Sequence, residues 1–259
     1  MALDMRIAEA MNSFDPISLE ETRTVRLMNR MDTKYIFGVD LLDQVLERAV
    51  SDYRIQEVDG ERDAPYQTVY LDTPECAMYL AHQNGHRTRE KIRVRTYVAS
   101  HLTFLEVKNK NNKGRTDKRR IQVDEPGEWP LDTADTFLSQ YAWYRLPQLL
   151  PQLENRFRRI TLVNKEMTER LTIDTNIRFH NLRNGNSKTL PAIVVMEVKR
   201  DGYTLSSPIR KILNDLRIRP CGFSKYCIGC ALTDNKLKQN RFKKRIHRIG
   251  KLEGRAVSL

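Results

Sequence analysis

The stretch REKIRVRTYVASHLTFLEVKNKNNKGRTDKRRIQVD (89–124) decides how the rest of the chain reads. Apolar and charged residues alternate within it. Ile92 and Val94 stand between Lys91, Arg93 and Arg95, and Leu105 and Val107 alternate with Glu106 and Lys108. Side chains two apart share one face of a strand, so the charges gather on one side and the apolar residues on the other. Lys118 and Arg120 share a face in the same way. The spacing predicts strands over 90–98, 102–110 and 117–124, with the last two joined by a turn through NNKGR (111–115).

The pattern recurs further along the chain. RRITLV sets Arg159 and Thr161 against Ile160 and Leu162. ERLTID sets Arg170, Thr172 and Asp174 against Leu171 and Ile173, and VVMEVKR sets Glu197 and Lys199 against Met196 and Val198. Further strands are expected at 32–37, 53–58 and 66–72, with the later three at 156–163, 169–174 and 192–200. Helices are expected at 39–50, at 75–85 and from Pro208, a residue suited to the first helical position. About eight strands at hairpin spacing, with few helices between them, predict an α+β chain built on an antiparallel barrel or strongly curved sheet. Periodicity leaves open which face lies inside. A solvated charged face is the ordinary reading of one such strand. Repeated over six strands, the Arg and Lys rows also fit an inward tunnel that a polyanion would neutralise.

The chain has 259 residues, 30% of them charged and 40% apolar, and a formal charge of +12. That balance points to a polyanionic partner: nucleic acid, polyphosphate or an anionic membrane. Much of it sits at the end, where Lys236, Lys238, Arg241, Lys243, Lys244, Arg245, Arg248, Lys251 and Arg255 face only Glu253. This tail reads as a helix or a disordered basic arm, with contact to a membrane surface or to a polyanion as its functional reading. No run approaches the ~18 apolar residues of a membrane span, and the N-terminus has no signal-peptide core. Four cysteines do not make a disulfide framework. Cys221, Cys227 and Cys230 lie close in sequence with no His near them, so they are expected as buried thiols rather than a zinc site. Neither a Walker A motif nor a kinase-type Gly-rich loop is present. Aromatic residues are sparse on the charged faces, with Tyr97 the main one, which disfavours specific nucleic-acid binding.

Over residues 26–230 the chain resembles the VTC catalytic domains, the polyphosphate polymerase branch of the triphosphate tunnel metalloenzymes. The resemblance rests on an ordered set: MNRMDTKYIF (28–37), VYLDT (69–73), REKIRVRTY (89–97), FLEVKNK (104–110), KRR (118–120), RFRRITL (156–162), ERLTID (169–174), VVMEVKR (194–200) and FSKY (223–226). It implies an eight-stranded tunnel over 26–234, between a lead-in at 1–25 and the basic tail at 235–259. It implies phosphate binding by Lys34, Arg93, Arg95, Lys108, Lys118, Arg159, Arg170, Lys199 and Lys225, with Arg93, Arg95 and Glu197 at the centre of catalysis. Glu197 would hold Mn²⁺ or Mg²⁺; Glu106 would be a second ligand or would orient Lys108. The implied activity is transfer of the ATP γ-phosphoryl group to inorganic polyphosphate in the cytoplasm. A metal-dependent triphosphatase and a non-catalytic polyanion-binding module are the alternatives. The first strand reads Arg30-x-Asp32-x-Lys34 where the hydrolytic tunnel enzymes carry Glu-x-Glu-x-Lys, which favours the polymerase branch. The inositol-sensing domain and membrane spans of eukaryotic relatives have no counterpart here, so a free-standing bacterial type is expected.

Overall fold

The computed structural model describes residues 2–25, 30–123, 131–202 and 207–256. Met28 and Asn29 of the first motif, and Asp124 at the end of the third expected strand, lie outside them. Two helices, α1 (Ala2–Asn12) and α2 (Leu19–Thr24), flank the short strand β1 (Pro16–Ile17). The first long strand, β2 (Arg30–Gly38), leads into α3 (Leu42–Ala49), then β3 (Tyr53–Gln56), β4 (Asp63–Asp72) and α4 (Ala77–Gln83). The deciding stretch forms β5 (Arg89–Tyr97), β6 (Leu102–Lys110) and β7 (Thr116–Val123). After α5 (Leu131–Tyr141) come β8 (Leu150–Asn164), β9 (Glu169–Asn181), β10 (Ser187–Leu190) and β11 (Ile193–Asp201). Helices α6 (Pro208–Asp215), α7 (Lys225–Thr233) and α8 (Lys243–Ala256) complete the described chain. Among the described residues no helix is long and apolar enough to cross a membrane.

Eight strands pair in the order β2-β11-β9-β8-β4-β5-β6-β7, and the ladders along this path are antiparallel. The expected strand number is therefore present, but the sheet is not a closed barrel: no ladder joins β7 to β2 among the described residues. The free edge of β2 is occupied by other groups. The Lys34 carbonyl accepts the Cys221 N–H at 2.7 Å, and the Ile36 carbonyl accepts Arg248 Nη2 at 2.7 Å. Acceptors already engaged cannot take up another strand. The product is a curled trough.

The alternation resolves into two faces. The outer face of β2, β11, β9 and β8 carries Tyr35, Met196, Leu171 and Ile160 under α1, α3 and α6. The outer face of β5 and β6 carries Ile92, Val94, Leu105 and Val107 under α5. Arg and Lys are thus directed to the inner, concave face. Part of that inner face is apolar too, and α7 fills it. Gly229 of α7 lies so close to the sheet that an added Cβ would stand 2.5 Å from Leu153 and 2.6 Å from Phe179. Asp72 tethers this plug. Its carboxylate accepts Tyr226 Oη at 2.5 Å and the backbone N–H groups of Met78 and Tyr79 at 2.9 Å. The Asp of VYLDT and the Tyr of SKY therefore serve the fold.

Candidate functional site

Antiparallel register sets the charges in rows. Lys91 of β5 stands directly across from Lys108 of β6, which stands across from Lys118 of β7. One step along, Arg93, Glu106 and Arg120 form the next row. Like charges directly opposite are destabilising, so three aligned lysines oppose the fold unless something neutralises them. Glu106, 1% exposed, does so in part: its Oε2 is 2.6 Å from Arg93 Nη2, and its Oε1 pairs with Lys118. Burial alone would raise the Glu106 carboxyl, but Arg93, Arg95 and Lys118 together hold it down at about 2. Lys91 donates to Ser224 Oγ at 2.9 Å. Lys108 has no ion pair among the described residues.

The opposite wall repeats the arrangement. Glu197 of β11 lies between two lysines, with Oε1 3.3 Å from Lys34 Nζ and Oε2 3.1 Å from Lys199 Nζ. Burial works against its ionisation, and Lys34, Lys199 and Lys108 overcome that, so its pKa falls well below the usual range. Asp174 of β9 binds the Arg159 guanidinium in a fork, at 2.6 and 2.8 Å, and pairs with Lys225 at the start of α7. Such planar pairing fixes the guanidinium. Arg170 stands across from Lys199 in register, a further like-charge pair.

The two walls act on each other. Lys108 responds to Glu197 and Lys34, although β6 and β11 are five steps apart along the sheet, so the curl brings them together. Burial, reinforced by Lys34, Arg93 and Lys91, lowers Lys108 to about 7 against the opposing pull of Glu197. Lys225 is lowered to about 7 by burial with Arg159 adding to it, and Asp174 offsets only part. Burial likewise takes Lys91 and Lys118 to about 8. Arg95 donates to Thr68 Oγ1 at 3.3 Å. The Arg159 guanidinium lies 4.9 Å from the Tyr66 ring, and Lys225 Nζ lies 4.2 Å from the Phe157 ring.

The trough therefore gathers Lys34, Arg93, Arg95, Lys108, Lys118, Arg159, Lys199 and Lys225 with Glu106 and Glu197, and register puts Arg170 on the same face. Glu106 orients cations, but they are Arg93 and Lys118 rather than Lys108. Sequence reasoning left two charged residues out of the site. Asp174 and Lys91 were both legible in the alternation of ERLTID and KIRVR. Tyr66 and Phe157 were missed as well: they join Tyr97 and Phe104 in an aromatic floor beneath the cations, assembled from four strands. The expected buried thiols are found at Cys227 and Cys230, while Cys221 is half-buried, and α4 brings His82 Nδ1 to 3.1 Å from Cys227 Sγ. Cys227 remains a buried thiol, its pKa raised by burial.

A family model described as the VTC domain matches residues 29–234. The chain belongs to the VTC domain family. No curated protein matches its sequence. Solved structures are similar at low identity, among them the following three. One is an adenylyl cyclase-like protein from Hippeastrum whose description reports a dominant triphosphatase activity; identity is 14%, over 79% of this chain and 97% of that one, with a TM-score of 0.47. The other two are described as adenylate cyclase candidates. The one from Bacillus halodurans has 14% identity over 76% and 96% of the two chains, and the one from Vibrio parahaemolyticus has 12% over 77% and 96%, both with a TM-score of 0.44. Likenesses this distant carry no conclusion about what this VTC domain does.

The trough suits only one kind of metal binding. Among the described residues no group of three or more His, Cys, Asp or Glu side chains converges as a ligand set. Glu106 is closed in by Arg93 and Lys118 and does not suit the role. Glu197 keeps some exposure, at 16% of its side chain, and its lone pairs are only partly used by the two lysines. One carboxylate fits a small hard cation that arrives on phosphate, with phosphate oxygens completing its shell.

Proposed function

We propose that this VTC domain is a polyphosphate polymerase, transferring the ATP γ-phosphoryl group to the end of an inorganic polyphosphate chain in the cytoplasm. The supporting observation is the row Lys91–Lys108–Lys118, directly aligned and facing inward, with Lys34 and Lys199 on the wall opposite. A run of phosphoryl groups supplies negative charge at the repeated spacing such rows call for. Arg93, Arg95, Arg159 and Arg170 hold non-bridging oxygens; Lys34, Lys108, Lys118, Lys199 and Lys225 add charge along the chain. Glu106 and Asp174 hold those cations in place. A Mn²⁺ or Mg²⁺ ion held by Glu197 and phosphate oxygens would supply further neutralisation of the transferred group.

The attacking atom is a terminal phosphate oxygen of the growing chain, which is already ionised. It forms a bond to the γ-phosphorus as the bond to the bridging oxygen breaks, and ADP leaves with the electron pair. No proton has to be removed, so no general base is required. That agrees with a site whose three carboxylates, Glu106, Asp174 and Glu197, are all ion-paired. The protein's work is positioning and charge stabilisation. Incubation with ATP and Mn²⁺ followed by a gel stained for polyphosphate tests the proposal. A ladder of long chains is expected; release of orthophosphate alone would make the protein a triphosphatase, and no turnover a binding module.

A further inference from the structure

Beyond residue 234, where the VTC match ends, the chain adds two arginines at one end of the trough. The segment that carries them is anchored. Gln239 Nε2 donates to the carbonyls of Ala231 and Asp234 at 2.9 and 3.0 Å, and Tyr79 Oη donates to the Lys238 carbonyl at 2.9 Å. Phe242, 2% exposed, packs between the rings of Tyr79 and His82 at 5.8 and 5.6 Å. This holds Arg241 over Gly85, whose φ of +81° and missing side chain leave the space: a Cβ there would stand 2.6 Å from Arg241 Nη1. Arg245 lies over Gly222, with its Nη2 3.4 Å from the corresponding Cβ position, and its Nη1 donates to the Arg241 carbonyl at 3.2 Å. Gly222 is two residues from Ser224, the partner of Lys91 in the lysine row.

Arg89, two residues before Lys91 on the same face of β5, completes the group. Burial pushes the His82 ring down to about 3, and Lys91, Arg89, Arg241 and Arg245 all act on it in the same direction. None of the four has an ion pair with a carboxylate among the described residues. The carboxylates of the trough, by contrast, each bind cations deeper inside. A group of anchored cations without a counter-charge, joined to the phosphate-binding row by a shared lysine, is arranged for an anion longer than the trough.

We infer that Arg89, Arg241 and Arg245 form a second station for the phosphoryl chain, continuous with the trough through Lys91, which holds the part of a long polyphosphate that extends beyond the trough's end. This rests on the proposed polyphosphate reading and adds to it a contact specific to long chains, made by Arg241 and Arg245 from outside the VTC match together with Arg89 from within it.

The test compares affinity for tripolyphosphate with affinity for a polyphosphate many times longer, by titration calorimetry, in the full-length wild-type protein, in Arg241→Gln and in Arg241→Gln with Arg245→Gln. Both side chains are at least partly exposed and distinct from Arg248, which binds the sheet edge, and a melting curve checks each fold. Long-chain affinity should fall about tenfold for each guanidinium removed, and tripolyphosphate affinity should change less than about threefold. Arg241→Lys, and Arg241→Lys with Arg245→Lys, should recover most of the loss. Statistical factors that favour long chains cancel, since they are common to all the proteins. An unchanged ratio of long to short affinity overturns the inference while leaving the trough reading standing. Failure of the wild type to bind either chain overturns both. Loss of binding to vesicles rich in anionic lipid, with long-chain affinity intact, would assign the arginines to a membrane instead.

Discussion

At the scale of single residues, the trough is governed by cations whose charge is held under strain. Lys108 and Lys225 sit near pKa 7, below their ordinary 10.5, because burial and neighbouring cations penalise the proton. Between these values the unfolded chain holds protons that the empty fold lacks, so the two lysines make the empty protein more stable as pH rises from about 7 toward 10.5. A bound phosphoryl chain reverses the balance by favouring the charged forms. Tripolyphosphate binding at about pH 8 should therefore take up protons, read as a heat that depends on the ionisation enthalpy of the buffer. Lys108→Met should lower the uptake; a heat indifferent to buffer would refute it. Glu106 gives the same sign of pH dependence at lower pH, but here the neighbouring cations favour the charged form. Its pKa near 2 contributes stability present above 4.5 and lost as pH falls toward 2. Glu106→Gln leaves Arg93 and Lys118 short of their counter-charge. The cost should be about 2 kcal/mol, below the roughly 3–5 of a fully buried pair, since Lys118 is 39% exposed. Arg93→Ala should leave the fold standing, because Glu106 keeps Lys118, yet lower turnover about 10²–10³-fold. Equal loss of stability in the two variants would make Arg93 a structural residue only.

Among the elements, α7 decides the depth of the trough. It fills the apolar part of the concave face and carries Ser224 and Lys225 to the charged part. Gly229→Ala forces a methyl group against Leu153 and Phe179, and should cost about 1–3 kcal/mol and weaken tripolyphosphate binding by displacing Lys225. Thermal melts and titration check both, and intact binding at wild-type stability would separate α7 from the site. The strands that bear the charges could be read from the chain because their period of two is local: β6 spans the expected 102–110, β5 differs from expectation by one residue at each end, and β7 starts one residue early. The ion-pair partners were less legible. Glu106 pairs with Arg93 and Lys118 across strands, and such pairings follow from register, which alternation alone does not set. Strands β8 and β9 run longer than expected, to 15 and 13 residues, because ladder pairing continues through a register shift near Arg156–Arg158 where the apolar rhythm breaks. Nothing local indicated that β2 would give its edge to Cys221 and Arg248, both of them distant in sequence, so an open trough could not be told from a closed barrel.

For the whole molecule, the distribution of charge sets what ligands should do to stability. The empty trough holds Lys34, Lys91, Lys108 and Lys199 close together, and their repulsion opposes folding. A polyanion that binds only the native state relieves this and stabilises by mass action. Tripolyphosphate should raise the melting temperature more than sulfate at equal ionic strength, since one sulfate spans only part of a row. The basic tail offers a rival explanation, and deleting it would not decide the matter. Phe242 and Ile249, each 2% exposed, pack against the core, and Glu253 accepts the Ala192 N–H. Burying each apolar side chain contributes about 1.5–3 kcal/mol, so truncation after residue 234 would destabilise the fold whatever binds there. Charge removal on the solvent side of α8 separates the two. Lys243→Gln with Lys244→Gln, both exposed, should leave the tripolyphosphate shift unchanged, while Lys108→Met should remove most of it. The reverse result would move the polyanion site from the trough to the surface of α8.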